Sequence, residues 1–334
     1  MPKRSPAEQL DRAISELLSS LKARRASKPS PSAAKLTQFV RALHCLPRPE
    51  FKAALKSDLQ RRTTMNEATA PTPAPAPTPQ FRRPGFNNIA PYFCVNGAPQ
   101  FIEFLVAAFG CTELMRMPMP DGRLGHAEVS LGDSIMELAD ANAAHPPRPM
   151  TIHLYVADSD AAYASALQAG ASSVYPVADQ HWGDRQGCVK DPFGNVWYVA
   201  TPKGWVPSEA GIRAVQPFLH LHEAHKIIPF LEAAFGAEAL GVAKSPEGLI
   251  LHATISIANA TFEIDEAHGE FQPTPFYLHA YVPDTDALYA QALRAGATSV
   301  TAPYDAPYGD RSAAVIDPFG NTWYLATFLG AGQP

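Results

Sequence analysis

The chain has 334 residues, is 46% hydrophobic and carries a formal net charge of -5, which is enough material for more than one core and suggests two or three domains. No apolar run approaches the ~18 residues that span a bilayer, and the start, "MPKRSPAEQL", has neither an apolar core nor a small-residue cleavage site. The sequence therefore predicts a cytoplasmic protein with no membrane span and no secretion, and its four cysteines (Cys45, Cys94, Cys111 and Cys188), with no C-x-x-C pairing, read as reduced, small buried hydrophobes.

The charge is uneven. Residues 1–62 hold 14 Lys/Arg against 5 Asp/Glu, a balance of +9 that leaves -14 on the remainder. Within this basic region "AEQLDRAISELLSSL" sets Leu10, Ile14, Leu17, Leu18 and Leu21 on one helical stripe. "AAKLTQFVRALHCL" does the same with Leu36, Phe39, Val40, Leu43 and Leu46. "LPRPE" breaks that helix, and "EFKAALKSDLQRR" starts a third with Phe51, Leu55 and Leu59 in register. The expectation is a basic helical region over 1–62 and a Pro/Ala-rich extended linker over 63–84. A basic arm on an acidic body suits an acidic partner, nucleic acid or docking on its own body; a solvated tail is the plainer reading.

From about residue 85 the chain repeats itself with an offset of 126 residues. "EFLVAAFG" (Glu103 to Gly110) returns as "PFLEAAFG" (Pro229 to Gly236), and "DPFGNVWYVAT" from Asp191 returns as "DPFGNTWYLAT" from Asp317. His126, Glu137 and His153 have counterparts in His252, Glu263 and His279. A gapless period of this length predicts a tandem domain duplication over 85–205 and 212–330.

Each copy halves again. In the first, "NIAPYFCV" reads as a strand and "APQFIEFLVAAFG" as a helix closed by glycine. Three strand-like pieces follow, "TELMRMP", "GHAEVSL" and "SIMELAD", the last two hinged at Gly132-Asp133. "TIHLYVAD" then opens the same series again, so each copy is two β-α-β-β-β units and the fold class is α+β.

Paired units of this kind, with "GRLGHAEVSLGDSIMELAD", "WGDRQGCVKDPFGNVWYVAT" and "YGDRSAAVIDPFGNTWYLAT", resemble the vicinal oxygen chelate superfamily of glyoxalase I, bleomycin-resistance proteins and extradiol dioxygenases. Within it the likeness is to the PhnB-like branch. The resemblance covers about residues 85–330 and speaks for fold more than for activity. It implies tandem domains whose curved mixed sheets form partial barrels around clefts. In the metal enzymes four cleft positions supply ligands. Residue by residue, these fall on Ala90, Glu137, His153 and Tyr198 in the first copy, and on Gln216, Glu263, His279 and Tyr324 in the second.

Strand alternation bears on this placement. A two-residue turn at Gly132-Asp133 sets Glu128 opposite Glu137, with His126 and Ser130 on the same face. The second copy would bring His252, Thr254 and Glu263 together in the same way. "VQPFLHLH" puts Gln216, Phe218, His220 and His222 on one face. Gln216, Glu263 and His279, with His252 and His220 near, form the more ligand-rich set for Zn²⁺, Ni²⁺, Mn²⁺ or Fe²⁺. Glu137 and His153 form the poorer one. Against a metal, Tyr198 and Tyr324 stand where a carboxylate would both ligate and move a proton, and a phenol near pKa ~10 does neither well.

"DPFGN" satisfies turn chemistry by itself, and Trp197 and Trp323 are expected to pack between the sheets. Arg185 and Arg311 of the "GDR" turns are either carboxylate or phosphate receptors or internal partners of Asp191 and Asp317. No phosphate loop, nucleophile elbow or activated cysteine is present.

Three functions follow. The first is a metal-free small-molecule-binding or resistance-like protein, its clefts lined by Tyr92, Phe218, Trp182 and Tyr308, with His126 and His252 beside them and Arg185 and Arg311 as polar receptors. The second is a metal-dependent lyase, isomerase or transferase in the second copy, with Glu263 moving the proton. The third is a sensor acting through the basic arm. The expected partner is a small molecule rather than a membrane or nucleic acid. The chain is expected to be a monomer with its domains paired internally, or a homodimer.

Overall fold

The computed structural model describes residues 81–204, 212–258 and 260–330. The helices expected over 1–62, Cys45 and most of the linker lie outside the described residues. Among those described, no helix is long and apolar enough to cross a membrane, and Cys94, Cys111 and Cys188 are buried free thiols.

Four β-α-β-β-β modules follow one another. The first runs β1 (Ile89–Val95), α1 (Ala98–Phe109), β2 (Thr112–Pro118), β3 (Leu124–Leu131) and β4 (Ser134–Asp140). The second runs β5 (Thr151–Tyr155), α2 (Ser159–Gln168), β6 (Ser172–Asp179), β7 (Asp184–Lys190) and β8 (Val196–Pro202). The third has β9 (Val215–Leu221), α3 (Ile227–Phe235), β10 (Glu238–Lys244), β11 (Ile250–Ile257) and β12 (Ala260–Glu266). The fourth has β13 (Tyr277–Tyr281), α4 (Thr285–Arg294), β14 (Thr298–Asp305), β15 (Asp310–Ile316) and β16 (Thr322–Phe328).

Local chemistry sets the helix ends. Helix α1 has no capping side chain of its own. Instead Asp140, at the end of β4, accepts the Gly97 and Ala98 N–H groups at 2.9 Å each and the Leu124 N–H at 2.7 Å, meeting the orphan donors of the first turn. Glu266 does the same for Glu223 and Ala224, at 2.7 and 3.0 Å. Asp158 and Asp284 cap α2 and α4 in the ordinary way, each accepting from the residue three positions on at 2.9 Å. Helix α1 ends at Gly110, φ 70°, the left-handed conformation that glycine adopts without strain.

The modules form two eight-stranded sheets, ordered β14-β15-β16-β13-β1-β4-β3-β2 and β10-β11-β12-β9-β5-β8-β7-β6. The first sheet joins the first and fourth modules by antiparallel pairing of β1 with β13, setting Ala90 opposite His279. The second joins the second and third by β5 with β9, setting His153 opposite Gln216. This corrects the expectation that each copy closes its own cleft: every sheet takes one module from each copy. The physical reason is that local hairpins fix pairing inside a module, whereas each module leaves the free edge of its first strand open to any partner of the same kind.

Within a copy the modules are held back to back. Trp197 is fully buried, its ring 5.9 Å from Phe93 and 4.8 Å from Phe109 of the first module. Trp323 meets Phe235 and Phe262 of the third module at 4.6 and 6.0 Å. The tryptophans therefore pack between the sheets as expected, each adding roughly 3 kcal/mol of apolar burial.

Candidate functional site

The inner faces of the two sheets carry equivalent residues in different states. In the first sheet they surround a cavity of about 980 Å³. Glu137 on β4 and His279 on β13 meet there, His279 Nδ1 donating to Glu137 Oε1 at 2.6 Å. Tyr324 lies directly across from His279 in the β13–β16 register, with its ring 5.4 Å from that of Tyr92. A second polar chain lines the wall: the Tyr92 hydroxyl reaches His126 Nδ1 at 3.4 Å, and His126 Nε2 reaches Glu128 Oε1 at 3.3 Å. Arg83 then donates to the same Glu128 oxygen at 2.8 Å. Strand alternation placed this wall correctly, since Glu128 is opposite Glu137.

Burial and charge set the protonation states. Burial alone would lower the His279 imidazole, but the Glu137 carboxylate outweighs it and the pKa is raised. Burial raises the Tyr324 and Tyr92 phenols, so both are hydroxyl donors at neutral pH. Glu128 is held low, burial notwithstanding, by His126 and Arg83.

In the second sheet His153 Nδ1 donates to Glu263 Oε2 at 2.9 Å, and His252 Nε2 lies 3.5 Å from the same oxygen. Burial opposes the charge on Glu263, yet the two histidines bring its pKa down to about 2. His220 Nδ1 pairs with Asp265 at 2.6 Å. Aromatic and sulfur side chains fill the rest of this cleft: Cys188, Tyr198 and Phe218 cluster there with Tyr175 and Phe271 against them. A small cavity of about 200 Å³ remains beneath Phe271 and beside His220.

The offset of 126 explains the difference. Phe271, Tyr175 and Cys188 fill the second cleft where the first has His145, Thr301 and Ala314, all three lining the open cavity. The first copy also supplies Met115, Met117 and Met119 to the cavity wall, where the second copy has Gly241, Ala243 and Ser245.

Neither cleft fits the metal centre that the resemblance implied. The set of Gln216, Glu263 and His279 does not exist, because His279 lies in the other sheet and faces Glu137. The first sheet brings Ala90, Glu137, His279 and Tyr324 together, with a methyl group and a protonated phenol at two of the four positions. In the second, the Gln216 carbonyl oxygen already accepts from Thr261 Oγ1 at 2.7 Å, and Tyr198 is a phenol raised by burial. Glu137 and His153, paired in expectation, are likewise in different sheets. Among the described residues no three His, Cys, Asp or Glu side chains converge as a metal would require.

Of the expected ligand-binding residues, Tyr92, His126 and Tyr308 line the first cavity, while Phe218 and His252 belong to the filled cleft. Trp182 is 52% exposed against His181. Arg185 and Arg311 line neither cavity and do not pair with Asp191 or Asp317. Each is held by the first turn of the neighbouring helix and by a strand end: Arg185 by Asp160 and Asp179, Arg311 by Asp286 and Asp305. Asp191 and Asp317 instead accept from Asn195 and Trp197, and from Asn321 and Trp323. Arg83, His145 and Asp310 are cavity residues that the sequence did not single out: Arg83 and His145 lie in connecting segments outside the strands, and Asp310 joins the site only through the cross-copy pairing.

A family model described as "Glyoxalase/Bleomycin resistance protein/Dioxygenase superfamily" matches residues 85–199. An uncharacterized protein of Mycobacterium bovis is 41% identical over 125 residues, 34% of this chain and 82% of that relative. One from Mycobacterium tuberculosis matches equally, over 74% of its length. The crystal structure of glyoxalase I from Zea mays superposes with a TM-score of 0.57 at 15% identity, covering 71% of this chain and 92% of that one. At that identity the likeness is one of fold.

Proposed function

Because the chain belongs to the glyoxalase/bleomycin resistance protein/dioxygenase superfamily, we propose that it binds a small organic molecule in the cleft of its first sheet, using that superfamily's clefts without a complete metal site. The observation that carries this reading is the open cavity of about 980 Å³, at the upper end of the ~300–1,000 Å³ of ordinary ligand sites. Its walls combine flat aromatic surface (Tyr92, Tyr308, Tyr324) with a few fixed polar groups (His126, Glu137, His279), the mixture that orients a drug-sized molecule. The filled second cleft acts as a structural half. The boundaries proposed for the copies are 85–205 and 212–330.

The metal-dependent lyase, isomerase or transferase of the second copy has less support, since its three donors are divided between two sheets. The arm-mediated sensor rests on residues outside those described.

The test is a thermal-shift and calorimetric titration of the full chain with planar aromatic amines, ketones and phenols. A compound at 100 times its Kd should raise stability by about 2.7 kcal/mol, with one site per chain. Thr301→Tyr, which places in the first cleft the side chain that fills the second, should abolish that binding. No stabilising compound, or undiminished binding by Thr301→Tyr, refutes the reading.

A further inference from the structure

Three imidazoles in the two clefts are held in the same way, by a carboxylate on Nδ1. They differ at the other nitrogen. His153 and His220 have Nε2 buried with no partner, sealed by the side chains that fill the second cleft. His279 is bonded only through Nδ1, to Glu137. Its side chain stays 12% exposed and lines the large cavity, and its Nε2 is not among the buried unpartnered atoms. A carboxylate only accepts, so the Nδ1 proton is committed to Glu137, and Nε2 is the nitrogen that offers a lone pair once the imidazole is neutral. The second cleft thus holds the same dyad shut away, and the first holds it open.

The neighbouring strand brings a hydroxyl donor to the same cavity. Tyr324 is the register partner of His279, it lines the same cavity, and burial keeps its phenol protonated. An imidazole base adjacent to a neutral phenol is the minimum apparatus for drawing a proton from carbon next to a carbonyl group. The base takes the proton and the phenol hydrogen-bonds the oxygen on which charge develops.

We propose that the first cleft carries out metal-independent proton transfer on a carbonyl compound with an acidic α hydrogen, with His279 as base, Tyr324 as oxyanion donor and Glu137 as the residue that positions the imidazole. The inference rests on the reading of this cleft as a small-molecule site. The α C–H bond breaks as a bond to His279 Nε2 forms. The C–H electron pair becomes the C=C of the enolate, and the carbonyl π pair moves to oxygen, where the Tyr324 hydroxyl holds it. Return of the proton from Nε2–H to the same carbon, or to one conjugated with it, closes the cycle with nothing oxidised or reduced.

The cavity also limits the substrate. Its lining holds the carboxyl groups of Glu128, Glu137, Asp140 and Asp310 against the single guanidinium of Arg83, and Asp310 Oδ1 is buried with no partner. A carboxylate or phosphate substrate would meet like charge. A neutral aromatic ketone would not, and its ring has Tyr92 and Tyr308 to lie against.

The experiment incubates 2-tetralone and phenylacetone with the full chain in D₂O and follows α-proton loss by NMR, alongside calorimetric titration of the same compounds. The expected result is exchange faster than in buffer. General-base catalysis of this kind is worth about 10²–10⁴-fold, so His279→Gln and His279→Ala should both fall to near the buffer rate. Tyr324→Phe should lose about 10²-fold. Glu137→Gln should reduce the turnover rate about tenfold or more while the ketone's Kd stays within about twofold, a split that a merely structural role would not give. Arg311→Ala, at a side chain that does not line the cavity, should exchange as wild type. Exchange at the buffer rate with wild-type protein overturns the inference, whether the ketones bind or not, and so does undiminished exchange by both His279 variants. The binding reading is decided separately, by the titration panel and Thr301→Tyr.

Discussion

The repeated "DPFGN" turn makes a quantitative prediction. Asp317 Oδ1 accepts the Phe319 and Asn321 backbone N–H groups at 2.9 Å each, and Oδ2 accepts Asn321 Nδ2 at 2.9 Å and Trp323 Nε1 at 3.0 Å. Asn321 and Trp323 are fully buried. Asp317→Ala leaves four donors without an acceptor, and at the lower end of ~1–3 kcal/mol for each this comes to about 4 kcal/mol. Part returns, because burial of the carboxylate is itself costly: it raises the Asp317 pKa even against its four donors. The net expectation is a loss of about 3 kcal/mol. Urea denaturation of the full chain, followed by tryptophan fluorescence, measures it. Asp191→Ala, with the same four bonds at 2.8–2.9 Å, should match it, and the double variant should be close to additive because the turns sit in different sheets. Losses below about 1 kcal/mol for both, at unchanged denaturant slope, would refute the claim that these aspartates hold the turn and its tryptophan.

Acid should act elsewhere. Glu263 has its pKa brought down from 4.5 to about 2, so its contribution is fully present above the unfolded value and disappears as pH falls from about 4.5 towards 2, to the extent of about 3 kcal/mol. Denaturation midpoints measured from pH 7 to pH 3 should show about 2 kcal/mol of that loss, and Glu263→Gln should flatten the curve; an equally steep curve in the variant sinks this assignment. Arg185→Ala and Arg311→Ala remove exposed ion pairs, so ligand titration should be unchanged; weakened binding would return these residues to the site. Phe271→Ala should open the second cleft, costing about 2 kcal/mol and speeding reaction of the buried Cys188 with a thiol reagent; an unaltered rate would show that Phe271 is not what seals it.

Period and alternation made the local architecture legible. The offset of 126 gave the duplication, the apolar spacing of "APQFIEFLVAAFG" gave α1, and the Gly132 hinge set Glu128 opposite Glu137. These depend on neighbours within one module. The site is not local in that sense. His279 faces Glu137 across 142 positions, and His153 faces Glu263 across 110. Both contacts follow from which free edge meets which, a choice between chemically equivalent first strands that no residue pattern records. The roles of Arg185 and Arg311 were missed for a related reason: their partners Asp160 and Asp286 cap nothing and carry no motif.

Cross-copy pairing also explains how a duplicated cleft came to exist in two forms. What fills the second cleft is assembled from both copies, Tyr175 and Cys188 from the first and Phe271 from the second. What keeps the first open is equally divided, with His145 from one copy and Thr301 and Ala314 from the other. Neither copy is therefore the degenerate one, and comparing them as whole units hides the distinction. It appears only when the first module is set beside the fourth and the second beside the third. The open cleft then combines aromatic walls, an accessible imidazole and space, while the filled one turns the same dyad into buried structure.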